Sequence, residues 1–308
     1  MSAAPPRATI VITTRNRKEE LRRALASCFA QTVPVHVMVM DDASEDGTAQ
    51  MVQAEFPEAV VLRSEVCLGL IAQRSRAARE ARTEHIFSMD DDAEFGSDDT
   101  VELTLAEFGH PRVGAVAIPQ LDTSTGAIPH EAAPADGKVW CVAAYTGTAH
   151  ALRRSVFLKL GAYSDELVHQ GEEGDYCMRM LAAGWITRLG RAPKILHHES
   201  PRRSFERMEF YGRRNDVRFG WRYAPWRWVF PHLLATTANG VLQAWKTRRP
   251  KAHIRGLACG WWQVVTGQAR RTPVSPAVYH LFRDLKRNGP KRLDEIEKHL
   301  PPAMEIPA

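Results

Sequence analysis

Cysteine is scarce and unpatterned in this chain of 308 residues. Cys28, Cys67, Cys141, Cys177 and Cys259 are odd in number, widely spaced and free of any C-x-x-C pair. That argues against a disulfide framework and a cysteine zinc site, and it suits a reducing compartment. The opening residues, MSAAPPRATIVITTRN, lack a charged stretch leading into a long apolar run, so no secretory signal is visible. Long hydrophobic runs are missing as well. Residues 228–245 carry no Lys, Arg, Asp or Glu, but Pro231, His232, Thr236, Thr237, Asn239, Gly240 and Gln243 interrupt them. A bilayer-spanning helix of roughly 20 apolar residues is therefore not expected. Glycine motifs are also absent. No G-x-G-x-x-G or G-x-x-x-x-G-K-[ST] follows a strand, and no G-x-S-x-G occurs, which disfavours dinucleotide oxidoreductases, P-loop NTPases and elbow-type hydrolases.

What is present is globular in composition, at 44% hydrophobic and 25% charged residues. The length allows one large domain or two modest ones. The net charge of +5 is an average of unlike parts: residues 201–308 hold 21 Lys and Arg against 8 Asp and Glu, and residues 1–200 hold 20 against 28. The basic part contains Trp221, Trp226, Trp228, Trp245, Trp261 and Trp262. Arginines mixed with tryptophans suit an anionic membrane surface, or simply solvate a helical domain.

Hydrophobic spacing places strands at residues 8–13, 35–40, 59–62 and 85–89, with helices at 48–56 and 68–82 between the later ones. A first helix carries Leu21, Leu25 and Phe29, with Asn16 as its cap and Glu19 as the reciprocal partner. This alternation predicts βαβ units and a parallel sheet. A helix at 99–108 and a strand at 113–118 continue it. Residues 122–138 read as a long loop, a helix starts near Glu173 and ends near Ala183, strands follow at 185–189 and 194–196, and the chain beyond residue 201 reads as mostly helical.

Polar clusters sit at the carboxyl ends of three of these strands, where open α/β sheets bind ligands. They are Thr13-Thr14-Arg15-Asn16, Asp41-Asp42 and Asp90-Asp91-Asp92. Adjacent carboxylates repel, and Mg²⁺ or Mn²⁺ would relieve the triplet, since both favour oxygen ligands. Glu172 and Glu173, set between Gly171 and Gly174 and followed by Asp175, are more acidic than helix capping needs. A carboxylate there can serve as general base. His197-His198-Glu199 after a strand adds a candidate imidazole ligand, which favours Mn²⁺ over Mg²⁺.

Taken in order, ATIVITTRNRKEELRRALAS, VHVMVMDDASEDGT, FSMDDDAEF, GAYSDELVHQGEEGDYCMRMLAAGW and KILHHES with FYGRRN resemble the inverting nucleotide-sugar glycosyltransferases of family 2. The resemblance implies a GT-A, Rossmann-like fold: a mostly parallel central sheet flanked by helices, with a C-terminal helical region. It implies a catalytic domain over residues 1–205 and a basic, Trp-rich helical region over 206–308. Thr13 and Arg15 would lie beside the nucleotide, Asp42 on the base, and Arg74 near the diphosphate, with Asp90 and Asp91 completing the donor site. Asp90 and Asp92 would form the D-x-D pair, Asp92 the direct ligand of Mn²⁺ or Mg²⁺, with His197 beside it. Glu173 stands where the family usually has an aspartate base, one methylene shorter, so Glu172 is an alternative and Asp175 a neighbour in the same cluster. Ser75 replaces a frequent asparagine.

The implied partners are a nucleotide-diphosphate sugar, a glycan or lipid-linked acceptor and an anionic membrane, without nucleic acid. The implied location is the cytoplasm, peripherally on the inner face of the cell membrane, in cell-surface glycan or glycolipid synthesis. The rival readings are a nucleotidyltransferase, disfavoured because no glycine-rich phosphate loop follows the first strand, and a non-catalytic membrane or nucleic-acid binding module.

Overall fold

The computed structural model describes residues 4–198 and 204–306. Strand and helix alternate from the start: β1 (Ala8–Thr14), α1 (Lys18–Phe29), β2 (Val35–Asp41), α2 (Thr48–Glu55), β3 (Val60–Arg63), α3 (Leu70–Glu80) and β4 (His85–Asp90). β1 and β2 are buried along nearly their whole length, as β-branched strands covered by helices on both faces should be. There follow β5 (Ala93–Phe95), α4 (Thr100–Ala106), β6 (Val113–Ala117), β7 (Gln120–Asp122), β8 (Trp140–Val142), β9 (His150–Arg153), α5 (Arg154–Lys159), α6 (Glu172–Ala182), β10 (Ile186–Leu189) and β11 (Ile195–His197). The chain ends in α7 (Phe205–Tyr223), α8 (Trp226–Lys246), α9 (Pro250–Val265), α10 (Pro276–Asn288), β12 (Lys291–Arg292) and α11 (Leu293–Ile296).

Among the described residues the main sheet has the order β12-β8-β10-β6-β9-β4-β1-β2-β3. β3, β2, β1 and β4 are parallel, which is the βαβ core the spacing predicts. β9 enters antiparallel between β4 and β6, and β8 runs antiparallel to both β10 and β12. The sheet is thus α/β but mixed, with only β8 and β9 running against the rest. β9 escapes a sequence reading because four residues, His-Ala-Leu-Arg, show no period, although His150 is fully buried. A second sheet, β5-β11-β7, sits beside the end of β4. It holds His197 in register with Ala93 and Asp122.

The expected capping box is not formed. Asn16 adopts φ 54, in the left-handed region. Its Oδ1 accepts from the Glu45 amide at 2.7 Å, which ties the end of β1 to the loop after β2. α1 begins one residue later than that cap requires, and Glu19 pairs with Arg22.

Helices α7, α8 and α9 build a small core of their own around Val217, Val229, Leu233 and Leu257. Gly256 and Gly260 permit the close approach of α9 to α7, since a Cβ on Gly256 would lie 2.3 Å from the Phe210 carbonyl oxygen. α10 and α11 instead return to the main core through Val278, Phe282, Leu285, Leu293 and Ile296, and β12 extends the main sheet.

Candidate active site

The order of the main sheet reverses at β1 and β4, and a crevice opens outside their carboxyl ends, where such a switch favours ligand binding. Thr13 pairs with Asp90 across the two strands, so the polar tail of β1 faces the acidic triplet. The tension among the three carboxylates is relieved first by arginines. Arg74, buried on α3, donates from Nη2 to Asp90 Oδ1 at 2.6 Å and to the Gly147 carbonyl at 2.7 Å. Arg17 donates from Nη1 to Asp91 Oδ1 at 2.8 Å and to Asp92 Oδ2 at 3.2 Å. Guanidinium groups thus share the role that the sequence assigns to a cation alone.

The three aspartates divide by position. Asp91 is buried, and its second oxygen accepts from the Thr14 hydroxyl at 2.8 Å. Burial, against the pull of Arg17, pushes its carboxyl up to about 7. Asp91 thus braces β1 against the end of β4. Asp90, Asp92 and His197 come together, with one ligand atom from each within 4.8 Å of the others. His197 Nε2 lies 3.3 Å from Asp92 Oδ1 and Nδ1 lies 3.7 Å from Asp122 Oδ2. Two carboxylates and one imidazole are a donor set suited to Mn²⁺, with Mg²⁺ tolerated less well at the nitrogen. His198 points elsewhere, to Glu94 Oε1 at 2.7 Å, and Glu199 lies outside the described residues.

The other wall is the first turn of α6. Residues Val168, Gln170 and Gly171 take φ of 63°, 67° and 89°, so the approach to this helix is strained. Asn215 on α7 holds it, its Nδ2 donating to the carbonyls of Leu167, His169 and Gln170 at 3.1, 2.9 and 2.6 Å. Glu172 Oε1 lies 3.8 Å from Arg74 Nη1. Gly147 is needed beside the pair, because a Cβ there would stand 2.6 Å from Glu173 Oε1 and 3.2 Å from Arg74 Nη1. Burial raises the pKa of both glutamates, Arg74 pulls them down, and Glu173 pushes its neighbour Glu172 further up. Beneath Arg74 runs a buried chain in which Tyr145 OH lies 2.8 Å from Tyr163 OH, and Tyr163 OH lies 3.1 Å from His150 Nε2. Burial and the Arg74 charge hold His150 neutral.

Two residues expected in the site are held by partners within the chain. Asp42 accepts four hydrogen bonds, from the amides of Leu68 and Gly69, from Gln73 Nε2 and from Cys67 Sγ, at 2.7 to 3.0 Å. A carboxylate has about four acceptor positions, so Asp42 orients the entry to α3. Asp175 is buried between Arg179 at 2.9 Å and the Tyr223 hydroxyl at 2.6 Å, and it fastens α7 to α6. Thr13 is half-buried at the end of β1. Burial and Asp42 raise the pKa of the Cys67 thiol, and the exposed Arg15 is close enough to offset part of that rise. Sequence reasoning passed over Arg17 and His169. A signal existed for Arg17, which follows Asn16 directly at a strand end facing carboxylates. Beyond burial and the charge of Arg207, His169 feels Arg74 and Asp90, and only the turn ahead of α6 brings it there.

Comparison with known proteins agrees with this geometry. Residues 9–134 match the model of the family described as Glycosyl transferase family 2. That match, over under half of the chain, supports a glycosyltransferase. No curated protein matches it in sequence. Among solved structures, the mannosyltransferase PcManGT from Pyrobaculum calidifontis, in complex with GDP-Man and Mn²⁺, is similar at 19% identity with a TM-score of 0.56, covering 96% of this chain and 85% of that one. S. aureus TarS 1-349 in complex with UDP is similar at 16% identity with a TM-score of 0.54, covering 67% and 64%. GalNAc-T7 with UDP, GalNAc and Mn²⁺ is similar at 18% identity with a TM-score of 0.55, covering 68% and 47%. At these identities the likeness is one of fold, the GT-A type.

Proposed function

We propose that this chain transfers a sugar from a nucleotide-diphosphate donor to a hydroxyl acceptor, with inversion at the anomeric carbon and dependence on Mn²⁺ or Mg²⁺. One observation carries the reading: a single buried guanidinium, Arg74, contacts Asp90 of the cation-binding group and stands beside the Glu172–Glu173 pair. The leaving diphosphate and the attacking hydroxyl would meet on its two sides. The complexes of similar folds with GDP-Man, UDP and Mn²⁺ support this choice of donor and cation.

Asp90, Asp92 and His197 would hold the cation, which supplies charge compensation for the diphosphate. Arg74 Nε and Nη1 have no hydrogen-bond partner, which leaves buried N–H groups to donate to a phosphate oxygen. Glu173, held against Gly147, would in its carboxylate form take the proton of the acceptor hydroxyl as that oxygen attacks the anomeric carbon from the face opposite the leaving group. One carboxylate suffices for this displacement, and no sugar–enzyme bond forms. Glu172, whose pKa burial raises, would keep its proton and donate a hydrogen bond. A thermal-shift screen of UDP-, dTDP- and GDP-sugars with Mn²⁺ should give one strongly stabilising donor. If none stabilises the fold, the donor assignment fails. Turnover that survives exhaustive chelation would reject the cation.

A surface feature favours a peripheral membrane site for this chemistry. Trp226, Phe230, Leu234, Val241 and Trp245 fall on one stripe of α8 and are 63, 59, 66, 40 and 77% exposed. Ile254, Trp262 and Val265 continue the apolar surface on α9. Residues 217–283 include 11 Lys and Arg and no Asp or Glu. An exposed apolar patch in a segment with an excess of cations complements an anionic lipid surface. No helix is long and apolar enough to cross a membrane. Such a surface supports a role in glycan or glycolipid assembly at a membrane face. Failure to co-sediment with anionic vesicles at low salt would reject the contact.

A further inference from the structure

A cavity of about 1010 Å³ lies apart from the crevice, enclosed by the loop ahead of β8, the first turn of α6, and helices α7, α8 and α10. Gly171, Gly174 and Asp175 line it, whereas Glu172 and Glu173 face the other way toward Arg74. The first turn of α6 is thus a partition with the carboxylate pair on one side and the cavity on the other. The floor is apolar, made by Val142, Leu189, Phe219, Ala235, Phe282 and Leu285. The walls are cationic, with Arg213, Arg222, Arg283, Lys286 and Arg287.

Part of this charge is offset within the wall: Arg222 lies 3.6 Å from Asp175 and Arg213 2.9 Å from Asp216, which leaves Arg283, Lys286 and Arg287 without an ion pair among the described residues. Of the lining carboxylates, Asp175 is engaged by Arg179 and Tyr223, and Asp216 by Arg213 at 2.9 Å. Glu131 pairs with Lys194 at 3.3 Å. Among the described residues the guanidinium of Arg283 donates to the Tyr279 hydroxyl, at 3.1 Å, and lies over that ring, with no carboxylate in reach. Among the described residues Lys286 and Arg287 form no ion pair. Burial, together with the charges of Arg283 and Lys286, holds His232 down to about 4, so the wall carries a positive field into the cavity. Cations in the last turn of α10 complement the helix dipole, which accounts for Lys286 and Arg287. It does not account for Arg283, which precedes the last turn of α10 and lines the same space.

We propose that this cavity binds an anionic saccharide, a sugar unit bearing a phosphate or carboxylate group, as the part of the acceptor remote from the reacting hydroxyl. This assignment rests on the transferase reading above and adds the chemical class of acceptor. Sites of roughly 300–1,000 Å³ with an apolar lining and a few convergent polar groups accommodate small ligands. The apolar floor suits the C–H face of a sugar ring, and guanidinium forks match phosphate or carboxylate oxygens in pairs. An extended acceptor seated here would have to pass around the first turn of α6 to bring its hydroxyl to Glu173 on the other side.

Titration calorimetry of the full chain tests this without a donor. The probes are glucose 6-phosphate, glucuronate, glucose and inorganic phosphate. At least one charged sugar should bind saturably, at least tenfold more tightly than glucose and inorganic phosphate. The double variant Arg283→Glu, Lys286→Glu should lose at least tenfold of that affinity. Both side chains are exposed at the cavity mouth, and Lys286→Ala alone serves should the double variant unfold. Absence of saturable binding, binding that these variants leave unchanged, or equal affinity for inorganic phosphate would overturn the proposal. Binding without any nucleotide-sugar turnover would instead reject the transferase reading, and turnover without binding would reject the cavity alone.

Discussion

In the sheet half of the chain, residues 8–198, buried and half-buried carboxylates meet arginines: Arg74 with Asp90, Arg17 with Asp91 and Asp92, and Arg188 with Glu107. In α8, α9 and α10 the pattern is reversed. Lys286 and Arg287 stay in solvent without an ion-pair partner among the described residues, and large apolar side chains such as Trp245 and Trp262 stay exposed, at 77% and 64%. The cost of desolvation explains the contrast. A buried charge left without a partner is expensive, so the first region must fix its charges against each other and thereby fixes a geometry. Hydrated charges carry no such demand and can stay in solvent without a partner.

The largest break in this comparison is expected at the pair beside Arg74. Glu173→Gln should lower transfer by about 10²–10⁴-fold, the usual worth of a general base, with nucleotide-sugar binding kept. Near-normal turnover in that variant would remove Glu173 from its role. The same residue sets a pH dependence. Burial raises its pKa above the ordinary 4.5, so turnover should fall as pH drops through a midpoint above 4.5. The effect on stability has the opposite sense. A carboxyl with a raised folded-state pKa favours the fold fully below its unfolded value, and that contribution is lost as pH rises through the raised one. A kcat profile whose acid limb lies at 4.5 would contradict the burial.

A smaller break should follow from Gly147→Ala. The new Cβ would displace the end of the Glu173 side chain rather than backbone, so the fold should persist. Misplacement of a reacting group by about 1 Å can cost about 10²-fold. A kcat loss near that size with little change in melting temperature is expected, and unchanged kcat would show that Glu173 acts from another position. Smallest is the effect of Trp245→Glu with Trp262→Glu. These exposed substitutions should leave stability within about 0.5 kcal/mol per site while reducing sedimentation with anionic vesicles. Vesicle binding equal to that of the unaltered chain would remove the stripe from the contact.

Much of the first region is legible in its amino-acid order alone. β1 to β4 and their helices follow from runs such as ATIVIT and VHVMVM, whose buried character is local, and the acidic triplet falls at a strand end as expected. The grouping of Asp90, Asp92 and His197 is legible too, although β11 brings the histidine from over one hundred residues away. What the sequence did not show is which partners hold the individual carboxylates. Asp42, Asp91 and Asp175 look as functional as their neighbours in sequence, yet the first is saturated by the turn into α3 and the others by Arg17, Thr14, Arg179 and Tyr223. In the second region the helices are legible, but not which of their faces remain uncovered.

The sequence by itself determined the βαβ core, the strand-end location of the acidic groups and the division of charge along the chain, because each depends on neighbours within a few residues. Only the tertiary structure decided the antiparallel insertion of β9, the role of Arg74 between two carboxylate clusters, and the cationic cavity behind α6. Those arise where segments far apart in the chain are desolvated together, and the partner that each buried charge finds there is set by packing.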